Sequence, residues 1–380
     1  MKCDIIIKDG HVIDPASHVN KCGDIFVKDG KVISTPEGEK PEAQQIINAG
    51  GCLVFPGLID FHAHIYEGAT ELGVPADVAF LPIGVTTAVD AGSAGIINYP
   101  LLSSYIIPKN IVCIKTLLNL SPNGLTGITK YHENIDPKHF NFEEIAHFFL
   151  KYRGEIFGLK IRLSKEIIGE FGMEPLKAAV EIAEKLSCPL VVHTTNPPVD
   201  MGEIAKMLRS GDVFCHVYHG TGKTSIGEDG CVLPELKRAR ERGVLFDASN
   251  GKLNFSLKIA QASLKDRFLP DIISTDITMT TFYREPIMGL PYVMSKFINM
   301  GMGIYDVVAA CTSTPAHILG MDGLIGTLKP GANADVAIFR LIDHKAEFMD
   351  IFDNKLIGST LLLPQMTICN GKVVYRQMNF

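Results

Sequence analysis

His62 and His64 stand two residues apart at the end of an apolar run that begins at Val54. In an extended strand, residues i and i+2 share a face. One strand would therefore aim both imidazoles into the same space, and the neutral imidazole is the commonest metal-binding side chain. Further along, Lys160, His193, His216 and Asp276 each close a later apolar run. Ligand types collected at the ends of separate strands describe a dispersed site for a divalent metal, and such a site suits hydrolysis.

Each of these residues has a plainer reading. An H-x-H pair alone can be two half-buried strand histidines. Here the turn formers Pro56 and Gly57 precede it and ligand types recur at later strand ends, which favours ligation. His193 ends the apolar Leu190–His193 and is expected to ligate for the same reason, although a histidine satisfied within the core is the ordinary alternative. Of His216 and His219, the first directly follows its apolar run; the second is expected to face the pocket or solvent. A lone aspartate is usually a cap or turn residue, but Asp276 ends the eighth run, where a carboxylate could both hold a metal and take a proton. Lys160 cannot bind a cation while protonated. Burial strips a lysine of its charge, and a neutral amine can add CO2 to give a carbamate with two oxygens. On its residues alone, a strand-end ion pair remains the stronger reading of Lys160. Arg162 shares the Lys160 face, and either anchors a substrate carboxylate as a bidentate partner or forms a structural ion pair.

Positioning these groups requires strands with polar ends. Eight segments qualify: Cys52–Ile65, Thr86–Ala91, Ile111–Leu120, Gly158–Leu163, Leu190–Thr194, Val213–Val217, Val244–Asp247 and Ile272–Ile277. Helical spacing of apolar residues fills several intervals, over Glu174–Leu186 with Pro175 in its first turn, Met201–Leu208, Val232–Glu241, Asn254–Leu264 and, after the last strand, Ile304–Leu319. Strands alternating with helices argue for parallel βα units. Eight of them predict an α/β fold, a (β/α)8 barrel of the TIM type, over residues 52–325. Such barrels carry their active sites at the C-terminal strand ends, where the candidate ligands fall. An open doubly wound sheet is the rival. Both chain ends instead read as short strands with turn signals at Asp29-Gly30 and Asn370-Gly371. They predict one small β-sandwich built from residues 1–51 and 326–380. Residues 121–141 form a connection longer than usual, either a lid over the site or a surface excursion.

Composition narrows the function. The 380 residues are 46% hydrophobic and 21% charged, with a net charge of −6 and no basic cluster, so there is no electrostatic footprint for nucleic acid. No apolar run reaches the ~18 residues needed to span a bilayer, and the N-terminus does not read as a signal peptide. Nine cysteines without C-x-x-C spacing suit reduced thiols in a cytoplasm. The expected partner is a small-molecule substrate, with no nucleic acid and no membrane, and a homo-oligomer is the expected assembly.

At these residues the chain resembles the amidohydrolase superfamily. The stretches that carry the likeness are Phe55–His64, Gly84–Gly95, Gly158–Lys160, His193, Asp212–His216, Ser274–Asp276 and Gly326–Asp335, and Asp90–Gly95 resembles a dihydroorotase-like amidohydrolase/deacetylase branch. The resemblance implies two divalent metal ions, zinc being the best match to His and carboxylate donors. It implies that His62, His64 and Asp276 hold one ion and His193 and His216 the second, with carboxylated Lys160 bridging both. It further implies that the metals activate a water and that Asp276 carries the proton to the leaving group. Two positions depart from the branch: Asn250 and Thr278 stand where it tends to show histidine, both near the substrate. Arg162, His219 and Asn250 are the expected substrate contacts.

Together these readings predict a binuclear metallohydrolase that cleaves an amide or ester, in particular an acyl group, from a small anionic substrate. A cyclic amidase or aminohydrolase of the dihydroorotase or deaminase kind is the enzymatic alternative. A non-catalytic protein that kept the barrel is the alternative of another class.

Overall fold

The computed structural model describes residues 2–35, 41–285 and 287–380; Met1 and residues 36–40 of the predicted terminal segment lie outside them. β1 (Lys2–Asp14) is flanked by β2 (Val19–Lys28), which pairs antiparallel with it and with β3 (Lys31–Ile33), and by β4 (Glu42–Asn48) and β5 (Leu53–Pro56), both parallel to β1. β5 also pairs antiparallel with β13 (Val336–Met349), which continues into β14 (Lys355–Cys369) and β15 (Lys372–Arg376). Strands from both ends of the chain thus join into one sheet of eight strands. The expected β-domain from both chain ends is one hydrogen-bonded sheet, because β5 bridges the N-terminal and C-terminal strands edge to edge. Ile5, Ile7, Val12, Val27, Val54, Val336, Ile338 and Ile368 form its apolar core. β13 and β14 run beyond this sheet: Asp350, at the end of their hairpin, accepts a hydrogen bond from the Leu257 amide at 2.9 Å.

The segment expected as one strand, Cys52–Ile65, is two. After β5 the chain crosses at Gly57 to β6 (Leu58–Ala63), the first strand of a second sheet. The crossing is too tight for a side chain: a Cβ on Gly57 would lie 2.8 Å from Asp335 Cβ and would also strike Thr86 Oγ1. Both halves are buried on both faces, so no polar alternation marks the break.

In the second sheet, β6, β7 (Val85–Asp90), β8 (Cys113–Asn119), β9 (Ile156–Arg162), β10 (Leu190–His193), β11 (Val213–Cys215) and β12 (Leu245–Asp247) lie side by side in chain order, every pair parallel. The eighth expected strand, Ile272–Ile277, is not a regular strand. It bridges Asp247 through Ile272 and Ala63 through Ile277, so it links the last strand to the first. Its irregularity has a local cause. Asp276 adopts a left-handed backbone (φ 50°), and Thr275 turns its amide (3.0 Å) and hydroxyl (2.6 Å) onto the buried Asp60 carboxylate. Burial raises the pKa of Asp60 to about 7, against the lowering effect of the Thr275 bonds.

Residues from each of β6 to β12 and from the 272–277 segment meet in a single apolar cluster: Phe61, Val89, Leu117, Phe157, Val191, Val213, Cys215, Leu245 and Ile272. Fully burying each large side chain of this kind stabilises by roughly 1.5–3 kcal/mol. The helices pack outside and are short. Glu174–Leu186 forms as expected, while the expected Ile304–Leu319 divides into Ile304–Ala310 and Ser313–Ile318. Thr312, at the break, leaves helical geometry (φ −138°, ψ −82°), and Pro315 in the next turn has no N–H to continue the ladder. Among the described residues, no helix is long and apolar enough to cross a membrane.

Candidate active site

The polar ends of the parallel strands bring the six predicted ligands together. Lys160 Nζ lies 3.3 Å from His62 Nε2. Asp276 Oδ1 is 3.6 Å from His62 Nε2 and 3.3 Å from His64 Nε2. The His216 ring is centred 5.1 Å from that of His62 and 4.4 Å from that of His193. His216 and Asp276 both sit at positive φ (61° and 50°), a costly backbone for side-chain-bearing residues that clusters at functional sites. Close approach also fixes the wall. Gly92 (φ +84°) follows β7, and a Cβ there would lie 2.6 Å from Lys160 Cβ.

The imidazoles are oriented from behind. His64 Nδ1 lies 2.9 Å from Ser93 Oγ, His216 Nδ1 bonds the Ser249 carbonyl at 2.8 Å, and His62 Nδ1 faces Ser249 Oγ at 3.2 Å and Asp247 Oδ2 at 3.7 Å. Such partners fix which ring nitrogen faces the centre. Sequence reasoning missed them, although Asp247 does end the seventh apolar run.

Burial sets the charges. It pushes the pKa of His62 and His193 well below the ordinary histidine value and that of His216 to about 3, and it lowers that of Lys160. Three imidazoles are thereby held neutral, with lone pairs available, and the lysine is eased toward the free amine. Burial would raise the pKa of Asp276, but its contact with His64 and the neighbouring imidazoles outweigh that and lower it. These residues fit a cation. His216 Nε2 is buried without a hydrogen-bond partner, and ligand atoms of His62, His216 and Asp276 lie within 4.8 Å of one another.

The centre opens into a cavity of about 370 Å3. Leu72, Leu125, Ile128 and Leu253 give it apolar wall, with Leu125 and Ile128 coming from the long 121–141 connection. Arg162, Ser164, Glu166, Thr195, Lys252, Asn254, Thr278 and Thr280 supply its polar groups. Arg162 is on this wall, and it is also ion-paired: its Nη1 donates to Glu133 Oε2 at 2.9 Å. Thr278 lines the cavity as expected. His219 and Asn250 do not. His219 is fully buried, and neither ring nitrogen has a partner. Asn250 turns away from the cavity, its amide directed at the Gly251 carbonyl and its oxygen at Lys296 Nζ. Proximity in sequence to a strand end did not place either side chain in the cavity. Asn254, which sequence analysis read only as the start of a helix, does face it. Its Nδ2 donates to Asp276 Oδ2 at 2.7 Å, and its Oδ1 accepts from Thr195 Oγ1 at 2.8 Å.

Comparison with known proteins agrees with this geometry. Residues 53–374 match the amidohydrolase family. A protein named Deacetylase Atu3266 from Agrobacterium fabrum is 34% identical over 323 residues, covering 85% of this chain and 79% of that protein. Among solved structures, one described as a dihydroorotase superposes with a TM-score of 0.88 at 30% identity over 98% of both chains. One described as an adenine deaminase superposes with a TM-score of 0.90 at 24% identity, covering 99% of this chain and all of the other, a likeness of fold. The chain is a member of the amidohydrolase family, on its dihydroorotase-like branch, and a hydrolytic enzyme.

Proposed function

We propose that this chain is a binuclear metal-dependent hydrolase that removes an acyl group, held by an amide or ester bond, from a small anionic substrate. The observation that carries the reading is the convergence of six chemically suited side chains from five separate runs at one centre. The likeness to a protein named deacetylase supports the choice of reaction. We read the second sheet with Ile272–Ile277 as a barrel of eight βα units over residues 58–325, and the first sheet, β5 included, as a smaller β-domain from residues 1–57 and 326–380.

In this reading, His62, His64 and Asp276 would hold one divalent ion and His193 and His216 another, with Lys160 between them as its carbamate. The donor set favours zinc. When bound, such ions supply Lewis acidity, which activates water near neutral pH and polarises the scissile carbonyl. The chain's residues do the rest. Lys160, its pKa lowered by burial, adds CO2 as the free amine and releases one proton. The ionised Asp276 accepts a proton from the attacking water and returns it to the leaving nitrogen or oxygen. Asn254 holds Asp276 Oδ2 during both transfers. Arg162 receives the substrate's anionic group, and the four leucine and isoleucine side chains exclude bulk water.

The test is elemental analysis of the purified protein with a hydrolysis screen of N-acetyl amino acids and O-acetyl hydroxy acids. About two equivalents of metal per chain, with acyl hydrolysis, are expected. A metal-free, inert protein would overturn the reading. A second reading, a cyclic amidase, is favoured by the 30% identity to a structure described as a dihydroorotase; turnover of dihydroorotate or hydantoins instead of acylated acids would select it.

A further inference from the structure

One buried charge beside the cavity has no part in the hydrolase reading: Glu133 lines an adjoining pocket that shares Arg162, Ser164 and Glu166 with it. Glu133, in the 121–141 connection, turns its carboxylate inward until its side chain is 1% exposed. Its partners are Arg162 Nη1 at 2.9 Å and, more weakly, Asn119 Nδ2 at 3.4 Å. A carboxylate taken out of water needs a charged partner, and Arg162 is its salt-bridge partner among the described residues. Arg162 directs one of its five N–H donors to that bond and keeps a side chain 20% exposed on the cavity wall.

Glu133 is held firmly. Upstream, Thr126 Oγ1 bonds the Ala69 carbonyl at 3.1 Å and Thr129 Oγ1 bonds Glu71 at 3.1 Å. Downstream, Ile135 is buried in the main core. The carboxylate is therefore a fixture, unlike a surface group that swings over the arginine. A fixed carboxylate does two things to a guanidinium. It sets the plane in which the free donors point, and it offsets the charge that an incoming anion feels.

We propose that Glu133 is a specificity-determining residue. It aims the free donors of Arg162 at the anionic group of the substrate and weakens the Coulombic hold on that group, so that an acidic product leaves after cleavage. The inference takes its substrate from the hydrolase reading, but its binding test does not depend on turnover.

The experiment compares N-acetylglycine with N-acetylglycinamide, which differ chiefly in one charge. Calorimetry on the metal-replete protein measures the affinity for each. In Glu133→Gln the side chain keeps its size and an oxygen for Arg162 but loses its charge. N-acetylglycine is expected to bind about tenfold more tightly to that variant, with N-acetylglycinamide changed by less than about twofold. Glu133→Asp keeps the charge and should preserve the wild-type ratio. Adding Arg162→Gln to Glu133→Gln should abolish the gain. Equal changes for both ligands, no change for either, or no anion binding by wild type and variant alike overturns the inference. If Glu133→Gln does not fold, loss of the wild-type anion-to-neutral ratio in Glu133→Asp does so. A wild type that binds with the predicted pattern but hydrolyses neither compound counts against the hydrolase reading alone.

Discussion

Asn254 and Asp276 are joined by a hydrogen bond of 2.7 Å from the amide Nδ2 to the outer carboxylate oxygen Oδ2. The inner oxygen, Oδ1, is left 3.3 Å from His64 Nε2 and 3.6 Å from His62 Nε2. The two oxygens of one carboxylate are thus made inequivalent. Thr195 fixes the amide from its other side, donating to Asn254 Oδ1 at 2.8 Å, so the amide cannot flip without losing both bonds. An asparagine in the turn before the Leu257–Lys265 helix and a threonine just beyond β10 together orient the group that must move the proton.

Asn254→Ala removes that restraint and leaves Oδ2 to rotate. A hydrogen bond to a charged group contributes about 1.5–3 kcal/mol, so kcat is expected to fall by about 10- to 100-fold with KM little changed. Metal content, measured on the same samples, should stay at the wild-type level because Oδ1 is untouched. A fall in metal content that accounts for the whole loss of rate would show that Asn254 acts on the fold of the centre and not on the orientation of Asp276.

Lys160 is 2% exposed and its amine faces imidazole. Its burial is costly to the fold unless the group is modified or bound. Lys160→Met keeps the length of the side chain and removes the amine. The variant is expected to lose most of its metal and to lower kcat/KM by about 1000-fold or more, while the metal-free protein melts at a higher temperature than metal-free wild type. Elemental analysis, steady-state kinetics and calorimetric melting check the three parts. A variant that melts lower without metal would mean that Lys160 serves the fold first.

The histidines and Asp276 were legible because an apolar run that stops at His or Asp announces both a strand and the side chain at its end, whereas Lys160, whose run alone reads as an ion pair, was singled out only by the family resemblance. Asp60 lies on the run of His62 and His64 and Asp247 ends the seventh run, but an oxygen that orients a ligand has the same residue type as one that binds, so their roles emerge only from the bonds to Thr275 and Ser249. His219 and Asn250 lie beyond the strand ends, where the backbone turns and side-chain period no longer predicts direction. Glu133 was hidden in a polar stretch with nothing to mark it. The crossing at Gly57 was hidden for a different reason, since two consecutive buried strands read as a single one. Ile272–Ile277 was expected as an eighth strand and makes only isolated bridges, because the left-handed turn at Asp276 that interrupts it leaves no trace in hydrophobic pattern.

Gly92 tests how closely the wall fits Lys160. Gly92→Ala adds a methyl 2.6 Å from Lys160 Cβ at a backbone φ of +84°. Gly68 has a similar φ of +80° with no atom within 4 Å, so Gly68→Ala measures the backbone strain alone, about 1–2 kcal/mol. Gly92→Ala is expected to cost about 1–3 kcal/mol more than this in urea unfolding and to depress kcat, whereas Gly68→Ala leaves kcat near wild type. Equal losses in the two variants would remove the contact with Lys160 from the explanation.

Lys296 supplies a pH signature separate from the metal ligands. It is 1% exposed, its Nζ meets Asn250 Oδ1 and sits 3.4 Å from the centroid of the Phe255 ring, and burial, partly opposed by Asp350, lowers its pKa from 10.5 to about 7. In the unfolded chain this lysine keeps its proton up to the ordinary value near 10.5; in the folded chain it loses it near 7. Between these limits the unfolded state binds more protons, so folding stability rises with pH and is lost again as pH falls toward 7. A single group gives a slope of at most about 1.4 kcal/mol per pH unit. Urea unfolding of wild type and Lys296→Met at pH 7, 8.5 and 10 isolates this group, because other titrations are common to both proteins. The stability of wild type relative to the variant is expected to increase from pH 7 to pH 10, with the variant's lost bond to Asn250 entering as a constant offset. A difference that stays flat, or falls, across that window would mean that Lys296 keeps an ordinary pKa in the folded protein.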